Sequence, residues 1–413
     1  MITGPGRGSR SARLREDARE DLQELRNLDL APRPGEHGLH RAARVEDAVK
    51  GLVGRRLRRR GYHARAVAYP GYGGPGWVRV LGRVLLGPAD TPADLEREEL
   101  RSVRGWRHFL TVPVADAEVH VRIGGEQGVR TVLRTNREGY LDEVVQVDLP
   151  PGEHEVVLTV GPQSTDSERV AAAVAAVDAA GDDTEGGADQ VPGIVVGHSG
   201  SSRVFVVGEQ PVTGLLSDID DTVVVTRLPR PLVAAWNSFV LDERARVPVN
   251  GMAELYRQVV AENPGAPVLY LSTGAWNVAP TLQRFLRRTG YPAGPLLLTD
   301  WGPTNTGLFR DGSAHKRTSL ARLARELPQV TWLLVGDDGQ HDPTLYAEFL
   351  AAAPERVRGV AIRRLTPAEQ LLAGGHPLSS DAAPADSPVP WVTGDNGYEL
   401  LHHWYRAGVL RAP

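Results

Sequence analysis

Residues 212–224 read VTGLLSDIDDTVV: an apolar run that stops at three carboxylates, Asp218, Asp220 and Asp221, within four positions. The run 212–217 predicts a buried strand, and the acidic residues mark its end. Carboxylates this close repel one another, so the strand end calls for a cation or a proton. In an extended segment Asp218 and Asp220 point to the same side. Charged turns also close strands for plain solvation, so the neighbouring sequence has to decide between the two readings.

Downstream, short apolar runs at 268–272, 296–299, 332–336 and 359–362 alternate with helix-period segments near 251–262, 278–288, 314–326 and 343–352. Buried strands with helical crossovers predict a parallel, doubly wound α/β sheet. Ligands in such sheets bind beyond the carboxyl ends of the strands. The second run ends in Leu271-Ser272-Thr273-Gly274, whose hydroxyls can donate to a phosphoryl oxygen, although Ser and Thr also commonly cap helices. The fourth ends in Gly336-Asp337-Asp338-Gly339-Gln340-His341-Asp342-Pro343, a second acidic cluster. Asp342 before Pro343 also reads as a helix N-cap. Two acidic strand ends suit a hard divalent cation with oxygen ligands, Mg²⁺ rather than zinc.

Composition narrows the chemistry. Cysteine is absent from all 413 residues, which excludes disulfides, Cys-ligated zinc, iron–sulfur clusters and thiol catalysis. The net charge of −4 argues against nucleic-acid binding by bulk charge. No run of about 18 apolar residues is present, and no apolar core follows the charges of residues 1–17, so a cytoplasmic protein is expected. Of 47 basic residues only Lys50 and Lys316 are lysine. A lysine kept against such a bias is a candidate for a task that a planar guanidinium cannot perform, the alternative being that the two lysines are accidents of composition. Lys316 lies in His315-Lys316-Arg317, between the third and fourth strands, where an anionic site needs positive charge.

The N-terminal half reads differently. Residues 1–65 form a basic helical segment, with predicted helices at 14–30 and 45–60; residues 1–70 carry 16 basic and 9 acidic side chains. That excess suits an anionic surface such as lipid headgroups, or a solvated helix end. Residues 66–209 hold period-two runs such as EVHVRIG and HEVVLTV, which predict a small antiparallel sandwich or barrel with a flexible loop near 161–200. Gly71, Gly73 and Gly76 satisfy G-x-G-x-x-G, but Pro70 and Pro75 interrupt it and a strand follows, so a Gly-rich turn is expected.

The order DIDDT, strand-end serine, lysine, GDDGQHD resembles the haloacid dehalogenase-type phosphatase superfamily. SDIDDTVV, VPVNGMAELY, LYLSTGAWN, PLLLTDWGP, HKRTSL and VGDDGQHDPTLY resemble the catalytic domain of the App-type phosphatidate phosphatases over roughly 210–366. The resemblance implies a Rossmann-like parallel sheet of the haloacid dehalogenase type with a small cap or none, preceded by an all-β sandwich-like domain and followed by a 367–413 extension packed on the core. It implies Asp218 as nucleophile, forming an aspartyl-phosphate. Asp220 would be the acid and base, supported by Thr222. Ser272 would hold a phosphoryl oxygen, and Lys316 would neutralise its charge and restrain Asp218. Asp337, Asp218 and the Asp220 carbonyl would bind Mg²⁺, with Asp338 or Asp342 acting behind them or through water. Lipid phosphatase members tend to read Ser-Asn-Ser-Pro-Trp where this chain has Ser272-Thr273-Gly274-Ala275-Trp276, a departure in the substrate pocket.

The 54 positions from Asp218 to Ser272 and the 44 from Ser272 to Lys316 hold no large cap domain, although 225–246, with Trp236 and Phe239, suits a small helical one. An open site suits a large or membrane-embedded substrate, since a small metabolite would want a lid to exclude water. Arg227, Arg230 and Arg363 are candidates to meet a phosphate or headgroup, and Trp276 and Trp301 to touch lipid or fill the core. His315 and His341 flank the site motifs. The expectation is a Mg²⁺-dependent phosphatase acting on phosphatidate or a related lipid phosphate at a transiently bound membrane surface. No SH3-recruiting proline-rich tail is seen. The alternatives are a phosphatase for a phosphoprotein, nucleotide or polynucleotide end, and a module that binds phosphate or lipid without turnover.

Overall fold

The computed structural model describes residues 53–59, 62–88, 112–161, 199–225, 247–299, 312–339, 341–372 and 387–412. Residues 53–59 are helical and fall in a separate unit from the rest. The remainder of the 14–30 and 45–60 helices, the 161–200 loop apart from Gly161, Ser199 and Gly200, and residues 226–246 lie outside the described residues.

Seven strands build the N-terminal sheet: β1 (Tyr62–Gly74), β2 (Trp77–Pro88), β3 (Glu118–Ile123), β4 (Val129–Arg134), β5 (Tyr140–Gln146), β6 (Gly152–Val160) and β7 (Ser199–Val206). Their order is β4-β3-β6-β7-β1-β2-β5. The period-two pattern survives: Val119, Val121 and Ile123 are buried on β3 while His120 is exposed. The antiparallel expectation needs one correction, because β1 pairs parallel with β7, Gly71 opposite Val204. The intervening chain brings β7 back beside the first strand, a long-range pairing that alternation cannot reveal. The glycine trio sits on the β1–β2 hairpin. A Cβ at Gly71 would lie 2.3 Å from the Arg79 carbonyl oxygen, and one at Gly73 2.5 Å from that of Trp77. Close strand approach requires Gly71 and Gly73, and Gly76 takes φ 80° in the turn, a conformation that favours glycine.

The second sheet contains β8 (Val212–Asp218), β11 (Val268–Ala275), β12 (Leu296–Thr299), β13 (Val330–Asp337), β14 (Val357–Arg363) and β15 (Trp391–Gly394). Between β8 and β11 the two-residue strands β9 (Val224–Val225) and β10 (Val247–Pro248) pair antiparallel. The six-stranded order is β12-β11-β8-β13-β14-β15, every neighbouring pair parallel. Counted along the chain this is 3-2-1-4-5-6, the doubly wound order, whose switch point lies between strands 1 and 4. Here those strands are β8 and β13, which end in Asp218 and Asp337.

Among the described residues, six helices accompany this sheet: α1 (Met252–Glu262), α2 (Ala279–Arg288), α3 (Gly312–Glu326), α4 (Asp342–Ala352), α5 (Pro367–Leu372) and α6 (Gly397–Arg406). One core packs α1, α2 and α6 through Leu255, Tyr256, Phe285 and Trp404. The other packs α3 and α4 through Leu320, Leu323, Leu345 and Phe349. Tyr69, Leu81 and Tyr140 of the N-terminal sheet join the first core, and Tyr72 the second. Polar contacts add to the join: Tyr72 donates to Glu326 at 2.7 Å, Arg79 pairs with Glu326, and Arg322 donates to Asp142 at 3.0 Å. β15 and α6, beyond residue 366, were not read as elements from the sequence. Four residues are too few to show a period, and the signal that α6 offers is Asn396, which caps it by accepting from the Tyr398 and Glu399 amides.

Candidate active site

The carboxyl ends of β8, β11 and β13 and the first turns of α3 bring the motifs together. Asp218 is 1% exposed. After it the chain turns back, the Val223 amide donating to the Ile219 carbonyl at 2.8 Å and the Asp221 amide to the Val224 carbonyl at 2.9 Å. Asp221 takes φ 61°, a left-handed conformation that a non-glycine residue holds only when its surroundings require it. From β11 the Ser272 hydroxyl donates to Asp220 Oδ2 at 2.9 Å and accepts from the Gly274 amide at 2.9 Å. Thr222 Oγ1 lies 3.4 Å from Asp337 Oδ2.

Lys316 reaches down from α3 and is 3% exposed. Its Nζ stands 2.6 Å from Asp218 Oδ1 and 2.5 Å from Asp342 Oδ1. Burial opposes its charge, but Asp218 and Asp342 outweigh that and hold its pKa above the ordinary lysine value. Asp218 sits well above the ordinary carboxylate range. Burial is the main cause; Lys316 opposes it, while Asp342, Asp337 and Asp220 add to it.

One oxygen each from Asp218, Asp337 and Asp342 lies within 4.8 Å of the others, and all three residues are buried. Asp218 Oδ2 has no hydrogen-bond partner although it is fully buried. An unsatisfied carboxylate oxygen inside an all-oxygen acidic cluster fits a hard divalent cation. Gly336 makes room for this cluster, since a Cβ there would lie 2.7 Å from Asp342 Oδ2. Asp337 Oδ1 accepts the Gly339 amide at 2.8 Å, which fixes its carboxylate beside the cluster.

The expected metal set therefore divides. Asp218, Asp337 and Asp342 come together. The Asp220 carboxylate accepts from Ser272, which leaves the role expected of the Asp220 carbonyl untouched. Asp338 turns away: its Oδ1 accepts the Leu365 amide at 2.8 Å, and burial raises its pKa. Asp342 makes no side-chain cap of α4, whose cap position is His341, and engages Lys316 and the Asp337 amide instead.

The flanking candidates resolve as structure. Trp276 is 8% exposed and stacks on Tyr69 with centroids 4.8 Å apart, so it belongs to the core between the sheets. Arg363 is 5% exposed and donates to the Asp221 carbonyl rather than to solvent. His315 lies 3.3 Å from the Leu297 carbonyl. Arg227, Arg230 and Trp301 lie outside the described residues. Tyr256, whose hydroxyl is 2.5 Å from Ser217 Oγ beneath Asp218, was not foreseen; its helical spacing marks it as core and nothing more.

Comparison with known proteins points the same way. Residues 213–364 match the family described as phosphatidate phosphatase APP1, catalytic domain. An uncharacterized protein of Schizosaccharomyces pombe is 31% identical over 150 residues, 36% of this chain and 24% of that one. Phosphatidate phosphatase APP1 of Saccharomyces cerevisiae is 24% identical over 152 residues, 36% of this chain and 25% of that one. The matching segment thus spans about a quarter of these relatives' length. Among solved structures, the CARDB domain of PF1109 from Pyrococcus furiosus covers 36% of this chain and 90% of its own at 10% identity and TM-score 0.17, which carries no argument. Every site residue named above lies inside the matched segment, and residues 213–364 are similar to the phosphatidate phosphatase APP1 catalytic domain.

Proposed function

We propose that the chain is a Mg²⁺-dependent phosphomonoester hydrolase of the haloacid dehalogenase type, acting through Asp218 on phosphatidate or a related lipid phosphate. The observation that carries this reading is the buried Asp218: one oxygen is ion-paired to Lys316, the other has no hydrogen-bond partner, and a carboxylate oxygen lies within 4.8 Å of one each from Asp337 and Asp342. A carboxylate placed purely for stability would not be left so.

The residues can divide the reaction into two displacements. Lys316 opposes the protonation that burial favours at Asp218 and holds its carboxylate in place, and its charge favours an incoming phosphoryl group. A carboxylate oxygen of Asp218 attacks phosphorus as the ester P–O bond breaks, and Asp220 gives a proton to the departing alkoxide. Water then attacks the aspartyl-phosphate, Asp220 takes its proton, and phosphate leaves with Asp218 restored. Ser272 orients Asp220, and its hydroxyl lies where a nonbridging oxygen can be held. Asp218, Asp337 and Asp342 would hold or flank Mg²⁺, which when bound would neutralise phosphoryl charge.

The lipid assignment rests on the family match and on the intervals of 54 and 44 positions between the motifs, which are short for a large cap. Phosphate release from phosphatidate in detergent micelles and from an aryl phosphate, with wild type and Asp218→Asn, tests it. Mg²⁺-dependent micellar turnover that the variant loses supports the whole reading. Turnover of the small phosphate alone keeps the mechanism and sinks the lipid. Silence toward both favours the binding-module alternative.

A further inference from the structure

Arg363 ends β14, next to Asp337 in the sheet register. The sequence makes it a candidate to meet a phosphate or headgroup; in the structure it is 5% exposed. Its three nitrogens face inward: one donates to the Asp221 carbonyl at 2.6 Å, one to Glu369 Oε1 at 2.8 Å, and Nε lies 3.4 Å from the Asp395 carbonyl. Its own carbonyl accepts the Asp338 amide at 3.0 Å. One side chain therefore touches the turn that follows Asp218, and its backbone touches the turn that follows Asp337.

The Asp221 carbonyl is the informative contact. Asp221 is the residue held at φ 61°, and it directly follows Asp220. The peptide planes on either side of a left-handed residue set the direction in which Asp220 leaves the turn. A guanidinium fixed by a carboxylate on its other edge holds that carbonyl with little freedom. Glu369 is itself fixed. It accepts the Thr366 amide at 2.8 Å while the Glu369 amide donates to Thr366 Oγ1 at 3.3 Å, a capping box at the start of α5.

We propose that Arg363 is a positioning residue for Asp220, acting through the Asp221 carbonyl, and that Glu369 and Asp395 complete the clamp from outside the matched catalytic segment. The consequence for catalysis rests on the phosphatase reading; the clamp on the turn does not. A poor alkoxide leaving group needs the proton that Asp220 delivers, whereas a nitrophenolate departs without one. Loss of the clamp should therefore fall unequally on the two.

The test compares wild type, Arg363→Met, Arg363→Lys and Glu369→Gln, the last of which keeps the capping box and folds most safely. Arg363→Met should lower kcat for phosphatidate about 10–100-fold, the usual cost of removing an orienting partner, with KM little changed. The fall for 4-nitrophenyl phosphate should be several-fold smaller, and Glu369→Gln should show the same inequality in reduced form. Amide hydrogen exchange gives the second readout. Residues 219–224 should exchange faster in Arg363→Met and Glu369→Gln while β8 stays protected. Equal losses on both substrates, or a rise in KM alone, would overturn the positioning role. Unchanged exchange at 219–224 would overturn the clamp. If the wild type hydrolyses neither substrate, the phosphatase reading fails and the exchange result still decides the clamp.

Discussion

Replacing Lys316 by methionine removes the ammonium that pairs Asp218 and Asp342 at 2.6 and 2.5 Å. Breaking a buried ion pair from one side costs about 3–5 kcal/mol, because a charge is left in a poor solvent. Here two carboxylates lose their partner and Asp337 stands beside them, so the upper half of that range is expected near pH 8. The unfolding midpoint should fall by roughly 10 °C. The loss should also depend on pH with a definite sign. Burial already holds the Asp218 pKa well above the ordinary carboxylate range, and without Lys316 it rises further. Between the ordinary and the raised value the folded state binds more protons than the unfolded chain, so stability increases as pH falls through that window. Thermal unfolding of Lys316→Met and wild type, in chelator and from pH 8 to pH 5, should show a gap that narrows toward acid. Lys316→Arg restores charge but not shape, so it should recover part of the stability and none of the turnover. A gap below about 1 kcal/mol, the value of an exposed pair, would refute the reasoning, as would a gap constant with pH.

Other expectations follow from the same geometry. Asp218→Asn should abolish turnover and, in chelator at pH 8, lower the unfolding midpoint by less than Lys316→Met does, because Lys316 loses one buried partner but keeps Asp342. Asp342→Asn should weaken Mg²⁺ binding by about 10-fold or more in calorimetry, whereas Asp338→Asn should change it by less than about 3-fold, since Asp338 faces Leu365. Trp276→Ala should cost about 3–5 kcal/mol in denaturant unfolding, because it empties the space between Tyr69 and Tyr140.

The sequence made the parallel sheet legible because buried strands and amphipathic helices carry different periods, and 212–217, 268–272, 296–299, 332–336 and 359–362 all lie within strands. The motif residues were legible for a related reason. Carboxylates, a serine and a lone lysine at strand ends are conspicuous where apolar residues should continue. What was not legible depends on contacts distant in the chain. As metal-site acids Asp338 and Asp342 are alternatives in the sequence, and the direction of the turn after β13 separates them. Arg363 reads as one arginine among 45, and only the sheet brings it to Asp221. Trp276 follows a strand end as a lipid-facing residue would, but Tyr69, 207 positions earlier, covers it. The parallel pairing of β1 with β7 joins strands separated by most of the N-terminal domain, and no local pattern encodes it.

The central claim is that Asp218 carries the phosphoryl group. Phosphatidate labelled in its phosphate, mixed with enzyme and Mg²⁺ and quenched in acid within a single turnover, tests it directly. The account predicts label bound to the protein, released by hydroxylamine, mapped to Asp218 and missing from Asp218→Asn. Turnover that continues with no bound label, or label on any other residue, would contradict it.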